Sequence, residues 1–179
     1  MISDSEERKS ARKVRSPTMI AILCLLAVLT APAAALDKGK KNVLGQPLER
    51  CSGKGMALTG FTRNGHCVDL NDDAGSHHVC VDMKSNVGGN FCEVTGQPNW
   101  CGSSMACDSD PANTCPVEHW CVCQWAFARY LQKAGGCDKI QTIVCEATNM
   151  VALTAYTEQA PHDKHIAEAL QCLKSRCTV

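Results

Sequence analysis

Two cysteines separated by a single residue, Cys121 and Cys123, have the clearest capacity for chemistry in this sequence. Alternate side chains of a β-strand point to the same face, so both sulfurs would lie together, with Cα atoms about 6.5–7 Å apart. Because that spacing is at the long limit of disulfide geometry, we predict that the two do not bond each other. Three roles stay open: separate structural disulfides, a pair of metal ligands, or a redox or nucleophilic thiol.

A second group of reactive side chains lies upstream, between residues 66 and 80. Its members are histidines, aspartates and cysteines: His66, Cys67, Asp72, Asp73, His77, His78 and Cys80. These residue types ligate zinc, and a histidine also acts as a general base beside a thiolate. The spacing matches no standard zinc pattern, so the alternative is a polar loop with solvent-facing histidines.

Two sets of candidate site residues follow from these patterns. In a metal site, with zinc as the candidate ion, the ligands come from one group: His66, Cys67, His77, Cys80, Cys121 and Cys123. In a thiol site, the nucleophile is Cys121 or Cys123. Its base is then His77 or His119.

The first 35 residues indicate the compartment in which the protein matures. A charged start precedes an apolar run over 19–29, and Ala33 and Ala35 occupy the small-residue positions that signal peptidases prefer. The run is about half of the roughly 20 residues that a membrane-spanning helix needs. We predict a signal peptide over 1–35, with an uncleaved signal anchor as the alternative, and no membrane span in the mature chain. The destination is the secretory pathway, either the exterior or an organelle lumen.

Thirteen of the 14 cysteines lie beyond that signal. Cysteine this dense in an exported chain is typical of a disulfide scaffold. Thirteen cannot all pair within one chain, so at least one is free, metal-bound or intermolecular. Removing residues 1–35 takes five basic and three acidic residues from 18 of each, which leaves a mild negative charge without long runs of one sign. Nucleic acid is therefore excluded as an expected partner.

The middle of the chain has little periodic apolar character. Residues 84–118 are rich in turn residues and contain four cysteines: Cys92, Cys101, Cys107 and Cys115. Because such a segment buries little apolar surface, we predict a loop stapled by disulfides over one edge of the fold.

Regular elements are predicted on both sides of that loop. Short strands are expected, with the Cys121–Cys123 strand near the centre and 140–145 as the clearest one. Helical spacing and caps predict two or three helices in the C-terminal half. Residues 42–48 are expected to be extended. Cys172 and Cys177 are close enough to clip the last helix end if the chain leaves helical geometry after Leu173. The predicted organisation is α+β: a signal peptide, a polar lead-in over 36–41, and a single small cysteine-rich domain over 42–179.

Several motifs together resemble a known family. They are Asn42-Val-Leu-Gly-Gln-Pro-Leu-Glu49, Leu58-Thr-Gly-Phe-Thr-Arg-Asn-Gly65, Trp120-Cys-Val-Cys123 and Cys145-Glu-Ala-Thr148. In this order the chain resembles the domain of unknown function 2237 family (DUF2237) over residues 42–175. No activity is established for that family, so the resemblance implies positions and not a mechanism.

The resemblance divides the cysteines into two sets. Five stand where the family pattern has cysteine: Cys51, Cys67, Cys80, Cys121 and Cys123. Eight are additions of this chain: Cys92, Cys101, Cys107, Cys115, Cys137, Cys145, Cys172 and Cys177. Eight is even and allows four extra disulfides, whereas five is odd. His66 replaces a frequent family cysteine, which favours a polar site nearby because histidine replaces cysteine as a metal ligand but not in a disulfide.

Two classes of function follow. The first is a non-catalytic, disulfide-stabilised module that binds a small ligand, a metal or a partner, and it is favoured because no complete catalytic set is visible. The alternative is a thiol- or zinc-dependent enzyme centred on the candidate residues above. An accessible thiol of lowered pKa at Cys121 or Cys123 would favour the enzyme, whereas a single buried thiol, with the other family-position cysteines in disulfides, would favour the binding module.

Overall fold

The computed structural model describes residues 40–85 and 87–179, and the predicted signal peptide lies outside them. The described part of the chain has short strands and helices, so the predicted α+β class is confirmed. Within it, no helix combines the length and apolar character needed to cross a membrane.

Five short strands form two antiparallel sheets. They are β1 (Val79–Asp82), β2 (Ser104–Ala106), β3 (Thr114–Pro116), β4 (His119–Val122) and β5 (Thr142–Ile143). The larger sheet has the order β4-β1-β5, and β2 pairs with β3. The expectation of a central strand through Cys121 and Cys123 was wrong, because β4 is an edge strand and ends at Val122. The strand expected over 140–145 is only the two residues of β5, and a 3₁₀ turn begins soon after it at Cys145.

Four α-helices accompany the strands. They are α1 (Phe91–Thr95), α2 (Gln124–Ala134), α3 (Met150–Gln159) and α4 (Lys164–Cys177). The three in the C-terminal half confirm the expected number. Local signals set their ends: the Asn149 side chain accepts the Val151 N–H at the start of α3, and Gly135 ends α2 in the left-handed region at φ 89°.

The alternation of β1 and β4 separates two buried layers. One face carries the apolar residues Val79, Val81, Trp120 and Val122, which join the core formed with the helices. The opposite face carries Cys80 and Cys121, which are directly paired across the strands. These two cysteines pack with Cys51, Cys67 and Ala147 in a second buried cluster. The period of two in a strand therefore gives the sheet a hydrocarbon face and a sulfur face.

Six disulfides cross-link the described residues. The pairs are Cys51–Cys80, Cys67–Cys121, Cys92–Cys101, Cys107–Cys115, Cys137–Cys172 and Cys145–Cys177. The eight cysteines that the resemblance implies are additions pair only with one another, and the other five form two disulfides and leave Cys123 unpaired. The condition for a clip between Cys172 and Cys177 is not met, because α4 stays helical to Cys177 and helical residues five apart face different directions.

The segment 84–118 is stapled by two local disulfides, as predicted. Cys92–Cys101 links α1 to the turn after it, and Cys107–Cys115 links the two sides of the β2–β3 hairpin. The segment is more regular than expected, because Asn90 and Glu93 form a capping box that starts α1.

Residues 43–78 contain none of the named strands or helices and depend on side-chain hydrogen bonds. The expected extension over 42–48 was wrong, because the buried Asn42 side chain accepts N–H bonds from Leu44 and Gln46 and bends the chain. Thr59 lies beside the edge strand β4, and its hydroxyl accepts the Cys121 N–H at 2.9 Å. The segment thereby supplies the edge strand β4 with a hydrogen-bond acceptor, which a neighbouring strand would otherwise provide.

Removing the Cys67–Cys121 bond should destabilise the domain more than removing Cys107–Cys115. Their sequence separations are 54 and 8, for which chain entropy gives about 4 and about 2.5 kcal/mol respectively. Urea unfolding of C67A/C121A and of C107A/C115A measures both losses. Equal losses would mean that chain entropy does not set the order.

Candidate thiol site

Cys123 is the one cysteine among residues 40–179 that lies outside a disulfide, and it is half-buried. It follows β4 directly and occupies the position before the first residue of α2, with φ −56° and ψ 127°. The first amide N–H groups of an α-helix have no acceptor within the helix. Cys123 therefore places a thiol at a helix end that favours negative charge.

The His77 ring is oriented by a hydrogen bond to the buried carboxylate of Asp73. Its Nδ1 lies 2.7 Å from Asp73 Oδ1, and the Asp73 side chain is completely buried. Asp73 also accepts the backbone N–H groups of Gly75 and His77. Burial alone raises the pKa of Asp73, but the bonds from His77 and Gly75 outweigh it and lower the pKa below its usual value. An ionised carboxylate only accepts, so Nδ1 carries the hydrogen and Nε2 is the basic atom of a neutral ring.

A backbone junction brings the His77 loop to Cys123. The Ser76 carbonyl accepts the Gln124 N–H at 3.0 Å and the His78 N–H at 2.8 Å. Ser76 adopts the left-handed region at φ 50°, which is costly for a residue with a Cβ. Because Ser76 precedes His77 and Gln124 follows Cys123, this junction joins the two segments where the candidate base and thiol stand.

His77 and Cys123 line the same cleft, whose volume is about 330 Å³. Its walls include Arg63, Trp100 and Trp120. The Arg63 guanidinium carbon lies 4.7 Å from the Trp120 ring centre, and the Trp100 and Trp120 rings lie 5.5 Å apart. The volume is at the lower end of the roughly 300–1,000 Å³ typical of small-molecule sites. The cleft thus combines a thiol, an imidazole, a cation and an aromatic wall.

A buried tyrosine lies behind the thiol. The Tyr156 hydroxyl donates to the Gln124 carbonyl, and the side chain is inaccessible to solvent. Burial, and then the electrostatic effect of the nearby Cys123 side chain, raise the pKa of Tyr156 well above its usual value. Tyr156 therefore remains a neutral donor that fixes the start of α2.

The other predicted site residues lie elsewhere. His66 Nδ1 is 3.2 Å from the Asn64 carbonyl, and His119 Nδ1 is 2.9 Å from the Cys51 carbonyl. Neither histidine lines the cleft, whereas Cys121 does line it with its sulfur bonded to Cys67. The structure therefore brings together His77, Cys121 and Cys123 from the predicted set.

The candidate zinc ligands are divided by the disulfides. Within the described residues, the sulfurs of Cys51, Cys67 and Cys80 lie within 4.8 Å of one another. All three sulfurs belong to disulfides, and zinc binds the thiolate. The zinc site predicted from His66, Cys67, His77, Cys80, Cys121 and Cys123 stays a prediction.

Sequence reasoning missed the partners that complete the cleft. Asp73 was grouped with His77 but not recognised as its hydrogen-bond acceptor, although a separation of four residues in a loop with Gly75 was visible. Gly75 has a steric role, because a Cβ there would overlap the His77 ring and lie 2.8 Å from Nδ1. Arg63 and Trp100 carried no local signal, since they reach the cleft from separate loops.

Comparison with known proteins places the chain in a family. The profile of a family described as "Uncharacterized protein conserved in bacteria (DUF2237)" matches residues 41–160. The chain belongs to the DUF2237 family. No curated protein matches it. The DUF2237 match spans Arg63, Asp73, His77 and Cys123, and it ends before α4, to which the Cys137–Cys172 and Cys145–Cys177 disulfides attach.

Replacing Asp73 with asparagine should destabilise this DUF2237 domain in a pH-dependent way. Since the folded-state pKa is lowered, the carboxylate stabilises the fold above the unfolded value of about 4, and this contribution disappears as pH falls through the folded pKa. We expect a loss of about 1–3 kcal/mol at neutral pH, measured by urea unfolding. Asp72→Asn, at an exposed neighbour, is the control. A loss that persists undiminished in acid would contradict the charge-based account.

Proposed function

We propose that this domain is a thiol-dependent enzyme that acts on a small acyl compound, an ester or thioester, in the Cys123 cleft. The observation that carries the proposal is the presence in one cleft of the unpaired thiol and of a histidine held by a buried carboxylate. A nucleophile, a base and a group that orients the base form the arrangement common to covalent acyl transfer.

The first half-reaction uses these residues in fixed roles. His77 Nε2 takes the proton from Cys123 Sγ, and the thiolate attacks the acyl carbonyl carbon, whose π electron pair moves to the oxygen. The oxygen then re-forms the double bond, and the bond from carbon to the leaving group breaks. His77 returns its proton to that group, and the acyl group remains on Cys123 as a thioester.

The second half-reaction restores the enzyme. His77 accepts a proton from water while the water oxygen attacks the thioester carbon. Collapse of this intermediate releases a carboxylic acid, and the Cys123 sulfur recovers its proton from His77. Asp73 stays ionised throughout, because its bonds from His77 and Gly75 favour the charged form. Amide N–H groups in the first turn of α2 supply dipoles for the oxyanion.

Binding without chemistry is the second candidate, and the aromatic wall favours it. The tilted rings of Trp100 and Trp120 form an aromatic surface beside Arg63, which suits recognition of a ligand independently of the thiol. A domain that binds a ligand there with Cys123 unreactive would belong to this class.

Export to an oxidising compartment completes the proposal. Six disulfides among the described residues are consistent with it, because thiols of cytosolic proteins are kept reduced. The predicted signal peptide over 1–35 supplies the route.

Histidine-dependent reactivity of Cys123 tests the enzyme. We expect His77→Asn to slow alkylation by iodoacetamide about tenfold near neutral pH, because the thiol loses its base. The rate of labelling at Cys123, followed by mass spectrometry over about pH 5–9, measures this effect. His119→Asn is the matched control, since His119 contacts the Cys51 carbonyl outside the cleft.

Acyl transfer is then followed with 4-nitrophenyl acetate. The wild-type protein should release nitrophenolate and carry an acetyl group on Cys123 during turnover, and Cys123→Ala should do neither. Equal alkylation rates in wild type, H77N and H119N, together with no acetylation, would contradict the enzyme proposal. The binding module would then be the remaining candidate.

Secretion from an oxidising host tests the export proposal. The mature protein should begin at Leu36, because cleavage is expected after Ala35. Alkylation under denaturing conditions without reductant should label Cys123 alone, and reduction should expose the twelve cysteines of the six disulfides. An intact Met1 on membrane-bound protein would support the signal anchor instead.

A further inference from the structure

The cleft has a cation without an acidic counterpart. Arg63 lines it, and none of the described residues that line it is Asp or Glu. Arg50, by contrast, pairs with Asp108 outside the cleft. Within residues 40–85 and 87–179, no ion pair to Arg63 occurs. An unneutralised guanidinium beside a small cavity attracts an oxyanion, which it binds with two parallel N–H groups.

Local contacts hold Arg63 in this place. Its guanidinium lies over the Trp120 ring at 4.7 Å, and its Nη1 donates to the Gly60 carbonyl at 3.5 Å. The backbone of Arg63 is left-handed at φ 53°, a conformation that costs free energy for a residue with a side chain. A cation presented by a strained backbone and stacked on an aromatic ring is partly ordered before any ligand arrives.

The wall beside Arg63 is aromatic, with neighbouring rings tilted by 52° (Phe91 and Trp100) and 41° (Trp100 and Trp120). Phe91, Trp100 and Trp120 follow one another with ring centres 6.0 and 5.5 Å apart. Gln97 accepts the Trp100 indole N–H at 3.1 Å and so fixes the orientation of that ring. This wall suits a planar or apolar group next to the anion-binding guanidinium.

We infer that the cleft selects small compounds that carry a carboxylate or phosphate beside a flat apolar group. The oxyanion pairs with Arg63, and the apolar group packs on Trp100 and Trp120. The inference rests on the proposed function only in placing the reacting carbonyl at Cys123. The volume of about 330 Å³ suits such a small molecule.

Two thiol reagents of nearly equal size test the charge preference. Iodoacetate carries a carboxylate and iodoacetamide is neutral, so their rate ratio at Cys123 reports the local field. We expect Arg63→Gln to lower the ratio of the iodoacetate rate to the iodoacetamide rate about fivefold, as one charge near a surface does. High salt should lower the ratio in wild type. Arg129→Gln, an equal charge change at an exposed position of α2 outside the cleft, should leave it unchanged.

A binding measurement covers the case of an unreactive thiol. Tryptophan fluorescence of Cys123→Ser is titrated with phenylacetate, phenyl phosphate and neutral phenylacetamide. We expect saturation with at least one anion, weaker binding of the amide, and loss of that difference in the C123S/R63Q variant. The two anions distinguish carboxylate from phosphate recognition.

The outcomes separate this inference from the enzyme proposal. An unchanged reagent ratio in R63Q, or equal binding or no binding of all three compounds, would overturn the inference. Failure of the enzyme proposal is seen instead as an iodoacetamide rate that does not depend on His77. Circular dichroism of each variant confirms that the domain is folded before the rates are compared.

Discussion

The two disulfides on one face of the β1–β4 pair are the constraint on which the rest of the fold depends. Cys80 and Cys121 are register partners, yet each bonds to a cysteine of the preceding irregular segment, Cys51 and Cys67. That segment lacks the named strands and helices and has few apolar side chains to bury. Without these bonds its conformational entropy would oppose its placement on the sheet. It also carries Arg63, Asp73 and His77, so the cleft exists only because the segment is tied down.

The sulfur layer also allows a small set of aromatic residues to serve other purposes. The chain has eight aromatic residues in 179. On the sulfur face, the disulfides and Ala147 provide the buried contacts that large side chains would otherwise make. Three of the aromatic residues, Phe91, Trp100 and Trp120, line the cleft and also belong to the apolar core or pack against it. Cross-linking therefore supports the scaffold on the sulfur face, while the aromatic side chains are placed at the core and the cleft wall.

The point at which β4 ends determines the face of the fold on which the Cys123 sulfur lies. A strand continued through residue 123 would turn its sulfur to the same face as Cys121, toward the other disulfides. The strand stops at Val122, and the chain enters α2, with the Gln124 N–H bonded to Ser76. Cys123 consequently leaves the sulfur face and lines the cleft with His77. One change of backbone direction separates a structural cysteine from a chemically available one.

Local patterns were sufficient for much of the architecture. The α+β class, the caps at Asn149 and Gly135, the two stapling disulfides of 84–118 and the separation of Cys121 from Cys123 all follow from neighbours in sequence, through capping, strand period and short loop closure. The central position of β1, the pairing of Cys80 and Cys121 with distant cysteines, and the meeting of Arg63, His77, Trp100 and Cys123 did not follow. These features join segments far apart in the chain, so they depend on the packing of the whole domain and not on local backbone preference. The sequence by itself determined that the thirteen cysteines after residue 35 cannot all pair with one another, because thirteen is odd. Only the tertiary structure decided that the unpaired cysteine is Cys123, because only there does the chain turn away from the sulfur face.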